Sequence, residues 1–344
     1  MPNIEEIKAA GIPMLNEEAT EKPTPKVMAK ASDYKIMKAL GNGGYGMAYL
    51  VIDSNNGKEY AMKAVSKGYI IETNDFRSCK REVQIMKQLD SVFVTKLYAV
   101  YQTPLEVCYV MDLCNGGNFY NLMRTFRRLK THVARFYLAE LFCGIKYLHS
   151  IDIAHQDLKL DNLLLDSAGH LKICDYGMSS PGMEEDTKIT KYCGVIWYFT
   201  PEKVLGIDYT RNTDWWNFGL IILHFFGCNQ LFARKSDSDC KLAILTLDMI
   251  GIRDVPKHAL HLANNLIQYE ENRYTQEQIS SHQFFDKIVW DDIENQRVRP
   301  KILWDRKAQM ENNYLDEDLR DHYFYLATDE NEKLFEDFNF KRPE

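Results

Sequence analysis

The chain has 344 residues, of which 45% are hydrophobic, and a formal net charge of −7. This length is enough for two domains or one large bilobal unit with buried cores, while the acidic balance argues against a broad nucleic-acid-binding surface, which needs an excess of basic residues. The eight cysteines are single, without a Cys-x-x-Cys pair, so we expect reduced thiols in a cytoplasmic protein, with access to the nucleus left open.

The N-terminal residues carry no signal for secretion or lipid attachment. No apolar run resembles a signal peptide, and Pro2 excludes N-myristoylation. Residues 1–32 are charged and contain Pro23 and Pro25, which interrupt a helix, so we expect a flexible extension here. The longest apolar stretch, GLIILHFFG at residues 219–227, is too short to cross a bilayer and predicts a buried helix. We therefore expect no membrane span.

Residues 33–114 have the pattern of a small β-rich lobe. Strand-like runs occur in the order YKIMKAL, MAYLVID, EYAMKAV, KLYAVYQT and VCYVMDL. Asn56-Gly57 lies between the second and third runs and predicts a tight hairpin turn. The segment NDFRSCKREVQIMKQL predicts a helix, for which Asn74 or Asp75 is the expected N-cap. We expect the first strands to form an antiparallel meander.

Residues 115–286 have the pattern of a larger, mainly α-helical lobe. THVARFYLAELFCGIKYLHS predicts a long amphipathic helix capped by Thr131, and DWWNFGLIILHFFG predicts a second helix that is apolar almost all round and therefore central. Residues 287–344 follow as a C-terminal tail. The sequence thus predicts an α+β fold with two lobes, of which the smaller is rich in β-strands.

A glycine cluster separates the first two predicted strands in LGNGGYGMAYLV. Because strands flank it on both sides, a dinucleotide-binding strand–turn–helix unit is disfavoured. A glycine-rich hairpin lets backbone N–H groups close over phosphates, although a flexible hairpin without a ligand is the simpler alternative. The candidate nucleotide-binding residues of this hairpin are Leu40, Gly41, Asn42, Gly43, Gly44, Tyr45, Gly46 and Ala48.

Lys63 and Glu82 follow the glycine cluster as a candidate phosphate-binding pair. Lys63 comes after the small Ala61 in an otherwise apolar strand, and a lysine that holds phosphate needs a carboxylate to orient it. Glu82 fits this role by order and spacing. The alternatives are a solvent-exposed lysine and a local helical pair of Glu82 with Lys80 or Lys87.

The stretch HQDLKLDN, residues 155–162, brings an acid, a base and an amide close together. Asp157 can accept a proton from a hydroxyl group, Lys159 can neutralise a phosphoryl group, and Asn162 can bind a metal ion through its side-chain oxygen. Asp175, in LKICDYG, is a hard oxygen ligand suited to Mg²⁺. Each residue alone is more often a surface polar group. In this order they supply the base, the positioning and the charge neutralisation that phosphoryl transfer needs.

A set of motifs occurs in one order between about residues 34 and 285: GNGGYG, YAMK, Glu82, HQDLKLDN, DYG, TPE and DWWNFG. Together they resemble the motif set of eukaryotic protein kinases. The tryptophan pair of DWW, the stretch CGVIWYFTPE and the tail NEKLFEDFNF are similar to the AGC group of that family. Within the group the chain resembles the catalytic subunits of cyclic-nucleotide-dependent protein kinases, as a divergent member.

The resemblance implies a bilobal protein-kinase-like fold and transfer of the γ-phosphoryl group of ATP, with Mg²⁺, to serine or threonine hydroxyls of protein substrates. Lys63 would hold the α- and β-phosphates and pair with Glu82. Asp157 would be the catalytic base, and Lys159 in this loop position is typical of serine/threonine kinases. The implied Mg²⁺ ligands are Asn162 and Asp175. The other implied nucleotide-binding residues are Ala61, Met111, Asp112, Cys114, Asn118 and Leu164.

The same resemblance implies structural roles outside the cleft. Glu202 would pair with Arg273 in a buried bridge, and Asp214 would support the catalytic loop from the central helix. Phe335 and Phe338 of the tail would bind to the small lobe beside the helix that follows the third strand.

The chain departs from the family at two positions that are often phosphorylated switches. Gln156 replaces the arginine that pairs with a phosphorylated activation-loop threonine, and Lys191 stands at the threonine position. Asn339 stands where the tail motif has serine or threonine. Because a phosphate and its arginine partner are lost together, we expect activity without phosphorylation at these positions. Thr187 or Thr190 remain as displaced substitutes.

Other departures concern rate and selectivity. Val195 replaces a threonine that bonds the catalytic Asp and Lys in many serine/threonine kinases, Ala48 replaces the valine over the adenine, and Tyr176 replaces a phenylalanine. Asn118 stands where basophilic members have a glutamate, whereas Asp161 keeps an acidic side chain. We therefore expect weaker selection of arginine upstream of the target residue than is typical of the group.

Three interpretations stay open: an active protein serine/threonine kinase, a pseudokinase that serves as a nucleotide-binding scaffold or regulator, and a small-molecule kinase. TPE and the tail disfavour the third. Gln156 and Val195 keep the second open, and an intact catalytic set favours the first: Lys63, Glu82, Asp157, Asn162 and Asp175. His155 is expected to pack beneath the site, and Cys174 to be a buried inert thiol. Protein substrates are the expected partners; no regulatory subunit is identified, and no second-messenger domain is expected within this chain.

Overall fold

The structure of the chain is a computed structural model. The described residues are 29–43, 46–183, 195–300, 302, 335 and 338–343. Of the predicted N-terminal extension, residues 29–32 fall in this set. Ala29 is buried in the same apolar cluster as Tyr34. Ala29 of the predicted extension therefore packs with the small lobe.

The small lobe is built on an antiparallel sheet, as predicted. The described strands are β1 Tyr34–Gly43, β2 Gly46–Asp53, β3 Glu59–Ser66, β4 Leu97–Gln102, β5 Glu106–Met111, β6 Leu163–Leu165, β7 Leu171–Ile173 and β8 Phe340–Lys341. The main sheet has the order β1-β2-β3-β5-β4-β8, and β6 pairs with β7 in a separate hairpin. Each of the predicted strand-like runs is one of the strands β1 to β5.

The predicted turn at Asn56-Gly57 joins β2 to β3. Gly57 has a φ of +69°, and its N–H donates to the carbonyl of Asp53 at 2.8 Å. The Asp53 carboxylate also accepts from the backbone N–H of Asn55 at 2.8 Å. The hairpin is confirmed, but its loop spans residues 54–58 because these bonds close the turn over Asp53.

The large lobe is mainly helical, again as predicted. Two of the described α-helices belong to the small lobe, α1 Lys67–Glu72 and α2 Phe76–Gln88. The described α-helices after residue 114 are α3 Phe119–Phe126, α4 Thr131–Ser150, α5 Pro201–Leu205, α6 Thr213–Phe225, α7 Asp237–Leu245, α8 Lys257–Leu266, α9 Gln276–Ser280 and α10 Trp290–Glu294. Asp75 is the N-cap residue of α2, as predicted, although its side chain makes no cap hydrogen bond. The capping prediction for α4 is wrong, because Thr131 is its first residue and follows the N-cap residue Lys130.

The core of the large lobe lies around α6, in which every residue is buried. Trp216 is fully buried and stacks on Phe232, with ring centroids 5.6 Å apart. Helix α4 approaches β7 so closely that a Cβ atom at Gly144 would lie 2.7 Å from the side chain of Ile173. This close contact fixes the β6–β7 hairpin, and with it the segments on either side that reach the cleft.

The tail contacts the small lobe at α2 and β4. Phe335 and Phe338 are buried, and the Phe335 ring lies 5.0 Å from the ring of Phe76 in α2. Strand β8 pairs with β4, and the guanidinium of Arg342 donates to the carbonyls of Leu89 and Leu97 at 2.8 and 2.9 Å. The tail thus lies where the sequence predicted.

Two predictions about composition can be compared with the described residues. No helix among them is long and apolar enough to cross a membrane, and the apolar stretch at residues 219–227 is largely the buried helix α6. The cysteines within the described part of the chain are all unpaired.

Candidate active site

A cleft of about 610 Å³ lies between the lobes, next to the link between β5 and α3. Most of the predicted nucleotide-binding residues line it: Leu40, Gly41, Gly46, Ala48, Ala61, Lys63, Glu82, Met111, Asp112, Cys114, Asn118 and Leu164. Asn42 and Gly43 lie at the end of β1. Gly44 and Tyr45 lie outside the described residues.

The predicted catalytic and metal-binding side chains converge on the same place. Lys159, Asn162 and Asp175 line this cleft. Asp157 lines an adjoining cavity of about 500 Å³, to which Lys63, Lys159 and Asp175 also contribute. Side chains that are more than 100 residues apart in the chain therefore meet between the lobes, as Lys63 and Asp175 show.

Lys63 projects from β3 towards two carboxylates. Its Nζ lies 3.0 Å from Oε1 of Glu82 in α2 and 3.4 Å from Oδ1 of Asp175. Burial opposes the charge of Lys63, but the carboxylates of Glu82 and Asp175 outweigh this effect and raise the pKa of the ammonium above its ordinary value. The same ammonium lowers the pKa of Asp175. The arrangement is a fixed positive charge at the back of the cleft.

Asp157 is buried and held by two side-chain donors. Lys159 Nζ lies 2.7 Å from its Oδ2, and the Asn162 amide donates to the same oxygen at 3.1 Å and to the Asp157 carbonyl at 2.8 Å. Burial acts against the charge of Lys159, but the hydrogen bond to Asp157 raises the pKa of Lys159. A carboxylate positioned by two donors beside a cation is chemically suited to accept a proton from a hydroxyl group.

The side chains of Asn162 and Asp175 fit a Mg²⁺ ion. The amide nitrogen of Asn162 is used by Asp157, so the side-chain oxygen is the atom left for a cation, and Asp175 is ionised. No cluster of three or more His, Cys, Asp or Glu side chains that could hold a metal occurs in the described parts of the chain. The side-chain oxygens of Asn162 and Asp175 are a donor set suited to Mg²⁺, which takes one or two protein ligands and completes its coordination with water and substrate phosphates.

Asp214 supports the catalytic loop from α6. Its carboxylate accepts from the backbone N–H groups of Gln156 at 2.8 Å and His155 at 2.9 Å, and lies 2.9 Å from Nε2 of His149. Burial alone would raise the pKa of Asp214, but these hydrogen bonds and the neighbouring histidines lower it. Gln156 has a φ of +65°, a strained conformation for a residue with a side chain, and the Asp214 bond helps to hold it.

His155 packs beneath the site, as predicted. It is fully buried, its Nε2 lies 3.0 Å from the carbonyl of Cys174, and its Nδ1 accepts from the N–H of Asp157 at 3.3 Å. Since Nδ1 accepts, the imidazole proton belongs on Nε2. The ring thus links the segment of Asp157 to the residue before Asp175. Burial raises the pKa of the Cys174 thiol well above its ordinary value, in keeping with an inert thiol.

The Glu202–Arg273 pair lies below the site. Nη2 of Arg273 is 3.3 Å from both oxygens of Glu202, and both side chains are almost wholly buried. Arg273 also donates to the carbonyl of Asn212, which precedes α6. The pair therefore joins α5 to the N-terminal end of the central helix, as the resemblance implied.

The sequence of the chain is similar to those of known proteins. The family model described as protein kinase domain matches residues 34–285. The chain belongs to the protein kinase family. RAC-beta serine/threonine-protein kinase of Rattus norvegicus is 29% identical over 311 residues, which are 88% of this chain and 64% of that protein. Protein kinase C-like 1B of Caenorhabditis elegans is 29% identical over 296 residues, 83% of this chain and 42% of that protein.

A third relative, serine/threonine protein kinase ypkA of Aspergillus fumigatus, is 29% identical over 279 residues, 79% of this chain and 44% of that protein. The chain spans less than two thirds of the length of these curated relatives.

The departures from the kinase motifs can be located where they are described. Ala48 lines the cleft, and Val195 is 41% exposed. Tyr176 is fully buried, and its hydroxyl donates to the carbonyl of Ile173 at 2.8 Å, which explains how this site accommodates a tyrosine. Asn118 caps α3 by accepting from the N–H of Asn121 at 2.9 Å. Thr187, Thr190 and Lys191 lie outside the described residues.

Two groups of contacts were not predicted. The carboxylate of Asp112 accepts from Lys172 Nζ at 2.9 Å, from the Tyr98 hydroxyl at 2.8 Å and from the Lys96 N–H at 3.2 Å. Asp112 therefore connects the small lobe to β7 of the large lobe besides lining the cleft. The second group lies around Gln156: the Lys203 ammonium donates to its carbonyl, and the Tyr209 hydroxyl donates to its side-chain oxygen, both at 3.3 Å. No local sequence pattern identifies either group, since the partners are distant in the chain.

Proposed function

We propose that the chain is an ATP-dependent protein serine/threonine kinase that does not require phosphorylation of its activation loop. The observation that supports this most directly is the convergence of five side chains on the cleft between the lobes: Lys63, Glu82, Asp157, Asn162 and Asp175. The comparisons support the same class, because the relatives are named as serine/threonine-protein kinases or protein kinase C-like.

In this proposal each side chain has one role. Lys63, oriented by Glu82, binds the α- and β-phosphates of ATP. Asn162 and Asp175 hold Mg²⁺, which neutralises charge on the phosphates when it is bound. Asp157 orients the substrate hydroxyl and accepts its proton. Lys159, 2.7 Å from Asp157, stabilises the negative charge of the transferred phosphoryl group.

Independence from activation-loop phosphorylation is supported by the surroundings of Gln156. This neutral side chain is buried and accepts a hydrogen bond from the Tyr209 hydroxyl at 3.3 Å. In the tail, the Asn339 side-chain oxygen accepts from the Gln102 amide at 3.3 Å, so no phosphate is needed there to bind Gln102. Phosphatase treatment should leave the activity of the purified protein unchanged; loss of activity would contradict this part of the proposal.

A pseudokinase that binds nucleotide as a scaffold or regulator is the second candidate. Val195 favours it, because this exposed side chain has no hydroxyl to bond Asp157 or Lys159. The lysine–aspartate contact at 2.7 Å exists without that hydroxyl. Catalysis therefore remains the proposal that the contacts support best.

The decisive experiment is transfer of radiolabelled phosphate from ATP to a generic basic protein. We expect the wild-type protein to label it and the variants Asp157→Ala and Lys63→Met to lose on the order of a hundredfold or more of the rate. Lys58→Met, which removes an exposed lysine from the β2–β3 loop, is the matched control and should keep wild-type activity. Equal labelling by all four proteins would refute intrinsic activity. ATP binding without transfer would favour the pseudokinase.

Substrate selection is proposed to depend little on arginine. Asn118 is neutral, while Asp161 keeps one carboxylate at the cleft. A peptide array should therefore show no dominant arginine three residues before the acceptor. Protein substrates in the cytoplasm are the proposed partners. The proposed lobes are residues 33–114 and 115–286, with the tail at residues 287–344.

A further inference from the structure

The conformation of Gln156 determines where the side chain of Asp157 points. Gln156 directly precedes Asp157 and has a φ of +65°, which a residue with a Cβ atom adopts only when its surroundings hold it there. The carbonyl of Gln156 and the N–H of Asp157 belong to one planar peptide unit. Whatever fixes that peptide therefore also fixes the direction in which the Asp157 carboxylate leaves the backbone.

Gln156 is held from three directions. Its N–H donates to Oδ1 of Asp214 at 2.8 Å, its carbonyl accepts from Nζ of Lys203 at 3.3 Å, and its side-chain oxygen accepts from the Tyr209 hydroxyl at 3.3 Å. The other end of the same peptide unit, the N–H of Asp157, donates to His155. Lys203 is thus the contact that holds the carbonyl side of the peptide preceding Asp157.

Lys203 is an unusual residue for its position. It lies in the short helix α5 and is only 3% exposed. Its ammonium lies 5.2 Å from the ring centroid of Tyr209 and 6.0 Å from that of Phe199. An ammonium is costly to bury, and aromatic faces and carbonyl oxygens offset part of that cost.

We propose that Lys203 is a positioning residue for phosphoryl transfer. Its ammonium fixes the Gln156–Asp157 peptide, and so aligns the Asp157 carboxylate with the substrate hydroxyl. The positive charge beneath the catalytic loop comes from α5 instead of from residue 156. This inference rests on the proposed kinase activity. It extends that activity by naming Lys203 as the cation that replaces the contact between an arginine at position 156 and a phosphorylated activation-loop threonine.

The identity of residue 156 fits this arrangement. The side chain of Gln156 and the ammonium of Lys203 both meet Tyr209. An arginine at position 156 would bring a second cation into this buried place, where like charges repel strongly because the surroundings are less polar than water. A neutral side chain at position 156 and a lysine at position 203 are therefore a matched pair.

The first test is Lys203→Met, which keeps an unbranched side chain of similar length and removes only the ammonium. We expect kcat for peptide phosphorylation to fall on the order of tenfold to a hundredfold. The KM for ATP should stay within about twofold, since uniform ATP binding through Lys63 is untouched. Lys235→Met removes an exposed lysine of the same lobe and should change neither constant.

The second test is reciprocal. Gln156→Arg alone should lower kcat by placing two cations at Tyr209, and Gln156→Arg combined with Lys203→Met should recover kcat relative to both single variants. A double variant no more active than Lys203→Met would overturn the proposal. So would a folded Lys203→Met protein with wild-type kcat, or one whose KM for ATP rises in parallel with the loss of rate, since that pattern indicates general loosening of the site.

Thermal unfolding of every variant distinguishes a loss of kcat in a folded protein from a loss caused by unfolding. If Lys203→Met does not fold, Gln156→Arg decides, because it leaves Lys203 in place and brings a second cation beside its ammonium. We expect a lower kcat and an unchanged KM for ATP, and an unchanged kcat would overturn the proposal. Wild-type protein that transfers no phosphate would instead refute the proposed function itself.

Discussion

Single side chains around the catalytic loop replace water as hydrogen-bond partners for a strained backbone. Asp214 is fully buried, yet its two carboxylate oxygens accept from two consecutive backbone N–H groups and contact His149. A buried carboxylate satisfied in this way is an anchor whose removal leaves several donors without partners. The stability of the loop and the position of Asp157 therefore depend on one residue of α6.

Asp214→Asn should destabilise the protein by about 3 kcal/mol, because the amide keeps one acceptor oxygen but turns an N–H group towards backbone donors. Urea unfolding measures this loss. The pKa of Asp214 is lowered in the folded protein, so its stabilising contribution is present at neutral pH and is lost as pH falls below the unfolded-state pKa of about 4. Asp214→Asn should lack this loss of stability in acid. If its free energy of unfolding depended on pH as that of the wild type does, the role given to the Asp214 charge would be contradicted.

His224, also in α6, makes the stability of the protein depend on pH through a buried base, whereas Asp214 does so through a buried acid. Burial lowers its pKa from 6.5 to about 4, so the folded protein holds it neutral while the unfolded chain takes up a proton. Stability from this residue is lost as pH falls from about 6.5 towards 4. Between pH 7 and pH 4.5 the loss amounts to about 2 kcal/mol.

His224→Phe should remove that loss, because phenylalanine keeps a ring against Tyr198, 5.6 Å away in the wild type, and cannot be protonated. Urea unfolding at both pH values measures the difference. His132→Gln, at an exposed position of α4, is the matched control and should leave the pH dependence of the wild type. If both variants kept the full acid loss, His224 would not be its source.

At the scale of elements, the described end of the tail packs on the small lobe. Phe335 packs on Phe76 of α2, the helix that carries Glu82, and the Lys67 ammonium lies 4.8 Å from the Phe335 ring centroid. Gln102 of β4 donates to the Phe335 carbonyl at 2.7 Å. The position of α2, and therefore the 3.0 Å contact of Lys63 with Glu82, depends on this packing.

Phe335→Ala should lower the free energy of unfolding by about 3 kcal/mol, the usual cost of removing a fully buried phenylalanine, and should lower kcat through displacement of α2. Chemical denaturation and steady-state rates test both effects. Phe126→Ala removes a half-exposed phenylalanine at the end of α3 and should cost much less. Equal effects of the two substitutions would mean that the tail does not support α2.

Elements with a strong local pattern were predicted correctly, and contacts between distant residues were not. The runs that became β1 to β5 have alternating or apolar patterns flanked by turns, and α6 is apolar on all sides, so local periodicity was sufficient. The predicted N-cap of α4, Thr131, lies one residue after the N-cap residue Lys130, because sequence signals are least sharp at helix boundaries. The residues of the cleft were predictable through motif order, whereas the contact of Lys203 with Gln156 joins residues 47 apart and has no local signature.

At the scale of the whole molecule, the cleft lies between the two lobes and is lined by residues of both. Lys63 and Glu82 belong to the small lobe, Asn162 and Asp175 to the large lobe, and Asp112 with Lys172 connects the lobes beside the cleft. A ligand that contacts both sets of residues should therefore stabilise the molecule as a unit.

ATP with Mg²⁺ should raise the Tm, since a ligand that binds only the folded state at about a hundredfold excess over its Kd adds about 2.7 kcal/mol. Differential scanning fluorimetry measures the shift. Addition of EDTA should remove most of it, because in the proposed site Asn162 and Asp175 would contact the nucleotide through the metal. Lys63→Met should also reduce the shift. A Tm that does not respond to ATP and Mg²⁺ would count against nucleotide binding in this cleft.

Strand β8 also closes one edge of the main sheet. Ala99 and Val100 of β4 pair with Lys341 and Phe340, so their backbone groups are not free to recruit a strand from another molecule. Exposed strand edges promote intermolecular pairing and aggregation. Removing the residues from Phe340 onwards should therefore increase light scattering on storage even where activity survives, and the last residues of this tail would then protect the protein from self-association as well as supporting α2.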